Sequence, residues 1–353
     1  MGKAARTDLL RRAELRAPLI EALQGADRLV ILGDGLELRE AAHRDAAGAI
    51  APLLREAGSV VGEIVVVAGN HDHGLAAGWI EERLATEPAG FLGLEQRFAP
   101  ATPLTEALAE AARPARLELA YPGLWLRDDV YAIHGHYADL HATVPTFERI
   151  FAGFMARFMV SAPGERATPD DYEAALSPLY AWIHALTQRA DHSRITASAG
   201  ASARTWTALT SAERHRRPLR TVALGAGYVS AVAALNALGV GPLDRDLSPA
   251  ALRRGYLHGF REVVRRLGID APHVLWGHSH RAGPFAGDDP AEWRMGETRI
   301  WNAGSWIYQP HFLGDAPGAS PYWPGVAIEV GESGPPRLLR LLHDRPHEAL
   351  RPA

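Results

Sequence analysis

The tetrapeptide Gly69-Asn70-His71-Asp72 places an amide, an imidazole and a carboxylate side by side. It follows the apolar run 64–68, which predicts a buried strand that ends in a tight turn at the glycine. Buried parallel strands tend to present chemistry just beyond their C-terminal ends. An amide oxygen can bind a hard cation, an imidazole can bind metal or move a proton, and a carboxylate can fix the imidazole tautomer. The alternative is a polar turn without a chemical role. Similar clusters at other predicted strand ends would favour a functional site.

Three further short apolar runs end in clusters of the same kind, each with a glycine beside His, Asp or Glu. Mixed nitrogen and oxygen donors without sulfur suit Mn, Fe or Zn. The chain has no cysteine, so neither disulfides nor thiolate ligands are available. We therefore predict a metal site at these strand ends. The clusters are Asp34 with Glu37 after 29–32, His134 with His136 after 130–133, and His278 with His280 after 273–276.

The order of these motifs resembles the pattern of the calcineurin-like metallophosphoesterase family. That pattern comprises Asp-x-His, Gly-Asp-x-x-Asp/Glu, Gly-Asn-His-Asp/Glu, a single His and Gly-His-x-His. The last four blocks are present in order between residues 33 and 280, and the blocks at 69–72 and 277–280 are the specific ones. The first block has no counterpart, because Asp8 is followed by Leu9 and Leu10 and no apolar run precedes it.

The resemblance implies an α/β fold of the metallophosphoesterase type, an αββα sandwich of two mixed sheets. It implies hydrolysis of a phosphomonoester, phosphodiester or pyrophosphate bond by a metal-bound hydroxide. Asp34 would bridge two divalent ions (Mn, Zn or Fe), and the remaining ligands would be Asn70, His134 and His278 at one ion and His280 at the other. Because the first block is absent, the second ion keeps only two of these ligands. We expect one tight ion, one weak or absent ion, and an unfilled sheet edge beside 29–32.

The resemblance also implies roles for residues that are not ligands. His71 would protonate the leaving group or steady the phosphate, and Asp72 would orient its imidazole. Glu37 is predicted to accept a supporting hydrogen bond, and His136 to lie outside the ligand set. A different class of function stays open, in which a degenerate phosphoesterase fold serves as a non-catalytic binding scaffold. The retained ligand residues argue against the scaffold, and the absent first block argues for it.

The elements that must position these residues follow a parallel-sheet pattern. A predicted helix at 38–57 separates the strands at 29–32 and 64–68, as in a βαβ unit. Residues 8–24 predict a helix that Pro18 interrupts. Short alternating runs at 117–119 and 124–126 predict two strands, and residues 75–112 are predicted to be mostly helical. An apolar stripe predicts a helix that begins at Pro249 and stops at Gly268.

Residues 141–246 show no strand pattern, and we predict that they form a helical insertion over the active-site edge. Residues 1–140 and 247–353 would form the metallophosphoesterase domain. Phe147, Phe151, Phe154 and Phe158 recur at helical spacing and favour a core stripe over a ligand groove. The uncharged run 221–243 is rich in Ala and Gly, which favours a buried or membrane-touching helix over a membrane span. A hydrophobic cap resembles the UDP-diacylglucosamine pyrophosphohydrolase branch, which implies an amphiphilic phosphoester substrate.

Composition limits the partners. The net charge of −4 and the isoelectric point near 6.5 give no electrostatic footprint for nucleic acid. The charged N-terminus is not followed by an apolar segment, so we predict no signal peptide and a cytoplasmic location. Contact with a membrane surface through the insertion is the alternative that the run 221–243 leaves open. The expected partner is therefore a small or amphiphilic phosphoester.

Overall fold

The computed structural model describes residues 1–3, 7–86, 90–189, 218–246, 249–314 and 316–352. Residues 190–217 of the predicted insertion therefore lie outside the described residues. Strands and helices alternate through most of the described chain, as in a mixed α/β fold. We number these elements in chain order. They are α1 (Ala13–Ala22), β1 (Arg28–Leu32), α2 (His43–Gly58), β2 (Glu63–Val67), α3 (Gly74–Ala85), β3 (Glu95–Phe98), α4 (Pro103–Ala112), β4 (Arg116–Arg127), β5 (Val130–Ile133), α5 (Phe147–Phe158), α6 (Pro169–Arg189), α7 (Pro218–Ala237), α8 (Pro249–Arg266), β6 (His273–Trp276), β7 (Arg294–Met295), β8 (Thr298–Asn302), α9 (Pro310–Leu313), β9 (Val326–Glu329), β10 (Arg337–Arg340) and α10 (His347–Leu350).

Most described strands belong to one mixed sheet of eight strands in the order β1-β2-β4-β5-β6-β8-β7, with β3 paired to β4. β1, β2 and β4 run parallel, β5 is antiparallel to β4, and β5, β6 and β8 are again parallel. We expected two mixed sheets. Hydrogen bonds join the strands into one sheet because β4, predicted as two short strands, is continuous and pairs with β2 along 116–120 and with β5 along 123–127. β9 and β10 form a separate antiparallel pair.

β2 is buried on both faces, which explains its uninterrupted apolar sequence. Ile64 and Val66 pack with the apolar cluster that α2, α3 and α4 contribute to. Val65 and Val67 point the other way and pack with Ala120 of β4 and its neighbours. Successive side chains of a strand lie on opposite faces, so only a strand covered on both sides needs apolar residues at every position. Each fully buried valine of this kind contributes roughly 1.5–3 kcal/mol.

The sheet curls so that β1 approaches β5, although two strands separate them in the sheet order. Leu32 of β1 packs in the cluster around Val65 and also in the cluster around Val130. The carbonyl oxygen of Leu32 lies 2.9 Å from Nδ1 of His134, directly after β5. β1 is a terminal strand of the described sheet, as expected from the absent first block.

Two compact units divide the chain. Unit 1 comprises Met1–His136, Tyr180–Arg189 and Ile269–Ala353, and unit 2 comprises Tyr137–Leu179 and Ala190–Gly268. We predicted an insertion over residues 141–246. In the structure, unit 2 also contains α8, and the last turns of α6 belong to unit 1. In α8, a Cβ on Gly259 would lie 2.7 Å from the carbonyl oxygen of Ala138, so the helix packs closely against the start of unit 2.

The aromatic stripe of α5 is not a core stripe, contrary to our prediction. Phe147, Phe154 and Phe158 are about half exposed, whereas Arg149 and Gly153 are buried. On the buried face of α5, the Arg149 guanidinium donates hydrogen bonds to the carbonyl oxygens of residues 142 and 240 at 2.6 and 3.1 Å.

Among the described helices, none combines the length and the apolar character that a membrane span requires.

We predict an acid-sensitive contact in unit 2. Burial and the nearby Arg266 charge lower the pKa of His141 to about 4, and its Nε2 lies 2.9 Å from the Tyr172 hydroxyl. Below about pH 6.5, His141 therefore binds a proton in the unfolded chain but not in the folded chain. The free energy of unfolding falls by about 3 kcal/mol as the pH drops from about 6.5 to about 4. His141→Gln should remove this part of the pH dependence. Urea unfolding at about pH 7.5 and about pH 5 measures it, and identical pH dependence in both proteins would contradict it.

Candidate metal centre and its acid–base neighbour

Four of the five predicted ligands converge after β1, β2, β5 and β6. One ligand atom each from Asp34, His134 and His278 lies within 4.8 Å of the other two. Asn70 joins them, because its Oδ1 lies 3.2 Å from Nε2 of His134. Among the described residues, the group that could hold an ion does not include His280. The strand ends therefore gather one three-residue group with an amide oxygen beside it.

His134 is the centre of this group. Its Nδ1 faces the Leu32 carbonyl, which can only accept, so Nδ1 carries the proton in the neutral ring. Nε2 then points its lone pair at Asp34 Oδ2, 3.3 Å away, and at Asn70 Oδ1, 3.2 Å away. A proton on Nε2 or a metal ion beside it would relieve the repulsion between the Nε2 lone pair and these two oxygens.

The convergence of these side chains shifts their pKa values. Burial lowers the pKa of His134, but the Asp34 carboxylate more than offsets it and raises the pKa to about 9. Burial raises the pKa of Asp34, yet the charges of His134 and His71 hold it well below its usual range. The pKa of His280 falls to about 4, chiefly because of burial. In the absence of another cation, a proton on His134 thus neutralises the Asp34 carboxylate.

Backbone strain concentrates on the predicted ligands. Asp34, His278 and His280 have φ angles of 54°, 56° and 61°, and no other non-glycine residue in the described ranges has a positive φ. Each costs about 1 kcal/mol or more relative to an ordinary conformation. Such strain persists where the surrounding structure holds it, and it clusters at functional sites.

Asp72 has a different role from the one predicted. Its side chain is fully buried, and its oxygens accept backbone N–H groups of Gly69, Asp34 and Leu36 at 2.6, 3.2 and 3.1 Å. Burial and the Asp34 charge raise the pKa of Asp72, while the hydrogen bonds from Gly69 and Leu36 oppose the rise. Asp72 therefore ties the loop after β1 to the loop after β2, and it does not contact the His71 imidazole.

Glu37 is the residue that orients His71. Its Oε1 and Oε2 lie 2.8 and 2.9 Å from Nδ1 of His71. The backbone N–H of His71 donates to Asp34 Oδ1 at 2.8 Å, which fixes the imidazole beside the candidate ligands. Burial raises the pKa of Glu37, but the charges of His71 and Lys3 hold it well below its usual range. A charged acceptor at Nδ1 leaves Nε2 of His71 as the atom that can act on a substrate.

Residues far along the chain brace the loop 277–280. Asn302, fully buried at the end of β8, donates to the Gly277 carbonyl at 2.8 Å and to Ser279 Oγ at 3.0 Å. Nδ1 of His280 lies 2.7 Å from Oε1 of Gln309, an amide oxygen that can accept a proton from Nδ1. No local sequence pattern indicates that Asn302 and Gln309 support the histidines.

The other histidines and acidic residues near these strand ends have partners of their own or lie outside the ligand group. Nε2 of His43 is 2.8 Å from Nε2 of His184, and His73 packs against the rings of Tyr121 and Tyr180. His136 is buried, outside the ligand group as predicted, with Nε2 3.2 Å from the Tyr121 hydroxyl. Asp8 accepts from the backbone of Gly2 and the side chain of Arg11. Asp45 and His311 are likewise outside the group that could hold an ion.

Comparisons with protein-family models, with curated protein sequences and with solved structures each find no match to this chain.

We predict that the glycine before Asp34 is essential to the site. Gly33 has a φ of 81°, and a Cβ there would lie 2.1 Å from Nδ1 of His134. Gly33→Ala should displace the imidazole and weaken Mn²⁺ binding by about tenfold or more. The matched control is Gly48→Ala within α2, where a Cβ meets nothing within 4 Å, and it should leave Mn²⁺ affinity unchanged. Equal Mn²⁺ affinity of Gly33→Ala and the unaltered protein, measured by isothermal titration calorimetry, would contradict this reading.

Proposed function

We propose that this chain is a metal-dependent hydrolase of phosphoesters, acting on a phosphomonoester, phosphodiester or pyrophosphate bond. The observation that carries the proposal is the convergence of Asp34, His134 and His278 with Asn70 beside a fixed His71–Glu37 pair. A carboxylate, imidazoles and an amide oxygen suit Mn, Zn or Fe. The family resemblance supplies the reaction, and the donor set supports it.

The donor set fits a divalent ion because its lone pairs already face one another around Nε2 of His134. Asp34, Asn70, His134 and His278 would hold the tight ion. When bound, such an ion supplies Lewis acidity, neutralising charge on phosphoryl oxygens and lowering the pKa of water. Asp34 and His280 would offer a second ion two ligands, so that ion would bind weakly.

The acid–base work of the proposed reaction falls to His71. In its doubly protonated form, with the Nδ1 proton held by Glu37, the imidazole can place its Nε2 proton on the leaving oxygen or donate it to a phosphoryl oxygen. Its side chain is 27% exposed, so substrate can reach it, whereas the side chain of Glu37 is 3% exposed. Asp72, through its three backbone contacts, would hold Asp34 and His71 at a constant separation.

The proposal includes a metallophosphoesterase-like sandwich fold and an amphiphilic or small phosphoester as substrate. The curl of the sheet at β4 supports a metallophosphoesterase-like sandwich, with the clusters around Val65 and Val130 between its halves. The half-exposed rings of Phe147, Phe154 and Phe158 favour an amphiphilic phosphoester and peripheral contact of unit 2 with a lipid surface. A small phosphoester is the simpler substrate. The net charge does not favour nucleic acid.

The alternative proposal is a degenerate phosphoesterase fold that acts as a non-catalytic scaffold. β1 lacks a strand on its outer side in the described sheet, which matches the absent first block and favours this alternative. The strained backbone at Asp34, His278 and His280 favours the enzyme, because a scaffold gains nothing from that cost.

The first consequence concerns metal. Protein supplied with Mn²⁺ should bind about one ion tightly, and His278→Ala should weaken that binding by about tenfold or more because it removes one of few ligands. His280→Ala is the matched control and should spare the tight ion. Equilibrium dialysis with elemental analysis measures both. No bound transition metal, or equal losses in the two variants, would refute the predicted ligand set.

The second consequence concerns catalysis. His71→Ala should lower kcat for bis-p-nitrophenyl phosphate by roughly 10²–10⁴-fold, the usual contribution of a positioned proton donor, with metal content nearly unchanged. His311→Ala, which alters a histidine packed against Phe312, serves as the control and should keep full activity. If His71→Ala loses its metal together with its activity, His71 is a ligand and the acid–base role is wrong.

A further inference from the structure

Lys3 lies on the far side of the carboxylate that orients His71. Its Nζ is 2.6 Å from Oε2 of Glu37 and 3.5 Å from Oε1 of Glu40. Glu37 therefore has an ammonium on one side and an imidazole on the other, within a side chain that is almost completely buried. The three groups form a continuous hydrogen-bonded series, Lys3–Glu37–His71.

The backbone around Lys3 is anchored, so the ammonium is not at the end of a loose segment. The N–H of Glu37 donates to the carbonyl oxygen of Met1 at 2.7 Å. The N–H of Gly2 donates to Asp8 Oδ2 at 2.8 Å, and Gly2 adopts a φ of 114° that a side chain would strain. Met1 is itself buried and packs in the cluster that contains Leu36 and Leu38.

The charge on Lys3 affects where the proton shared by Glu37 and His71 lies. A buried carboxylate that meets only an imidazole can take the shared proton itself, because burial favours neutral groups. An ammonium at the second oxygen opposes that transfer and keeps the carboxylate an acceptor. Burial alone lowers the pKa of Lys3, but Glu37 and Glu40 raise it to about 12, so Lys3 stays charged.

We propose that Lys3 is a positioning residue for the proposed hydrolysis: its ammonium holds Glu37 ionised and in place, and Glu37 thereby keeps the proton of His71 on Nδ1 and directs Nε2 to the substrate. This inference rests on the proposed function. No contact of Lys3 with substrate or metal is required, because it acts through Glu37. A lysine that merely anchored residues 1–3 would have no effect on His71.

Kinetics with bis-p-nitrophenyl phosphate and Mn²⁺ test the link. Lys3→Met keeps the apolar stem and removes the charge, and it should lower kcat by about tenfold with KM within about twofold and metal content unchanged. Lys3→Arg should restore most of kcat. Glu40→Gln, which removes only the more distant carboxylate, is the matched control and should keep kcat within about twofold. Unchanged kcat in Lys3→Met would overturn the proposal.

A double-mutant cycle separates positioning from simple structural support. In a Glu37→Gln background, Lys3→Met should cause little further loss, since the group it acts through is gone. Equal losses in both backgrounds would overturn the proposal, because a purely structural contribution is independent of Glu37.

Nuclear magnetic resonance of the metal-free protein gives an answer that does not need activity. The ¹⁵N shifts of His71 should report a proton on Nδ1 in the unaltered protein and in Lys3→Arg, and a mixture of tautomers in Lys3→Met. Identical tautomers in all three proteins would overturn the inference. If the unaltered protein hydrolyses no phosphoester, the proposed function fails, and the shifts still decide whether Lys3 sets the state of His71.

Discussion

Nε2 of His134 faces two oxygens at the C-terminal ends of β1 and β2, Oδ2 of Asp34 and Oδ1 of Asn70. A cation at this point, either a proton on Nε2 or a metal ion, stabilises the arrangement. Much of the neighbouring structure maintains this arrangement. The Leu32 carbonyl fixes the ring of His134, Asp72 ties the loops after β1 and β2 together, and glycine at 33 leaves room for the imidazole.

The long strand β4 makes this convergence geometrically possible. Because β2 pairs with its first part and β5 with its second, the sheet curls and returns β5 toward the terminal strand β1. Leu32 is packed in both of the clusters that line the curl, so the same residue that completes the core also presents its carbonyl to His134. Packing and site geometry are therefore coupled, and strain at Asp34, His278 and His280 is held by the rigid strands before them.

The strand ends could be predicted from the sequence because their signal is local. An apolar run closed by glycine predicts a buried strand, and β1, β2, β5 and β6 all lie where such runs predict them. The terminal strand β1 is only partly buried, because no described strand covers its outer side. Contacts between distant residues carry no local signal. Glu37 accepts a hydrogen bond as predicted, but its partner His71 was assigned to Asp72, and Gln309 was not predicted as the partner of His280. The prediction that the α5 phenylalanines form a core stripe was wrong for a related reason. Helical spacing identifies an apolar face, but it does not reveal whether another element covers that face.

Anomalous diffraction from crystals grown with Zn²⁺ would locate the ion itself. We expect one strong peak about 2.0–2.2 Å from Asp34, Asn70, His134 and His278, the distance at which zinc binds nitrogen and oxygen. Any second peak, between Asp34 and His280, should be weaker. A strong peak elsewhere, such as at the His43–His184 pair, with none at His134 would show that this is not the metal site. That result would leave the converging lone pairs as a proton-bound structural contact.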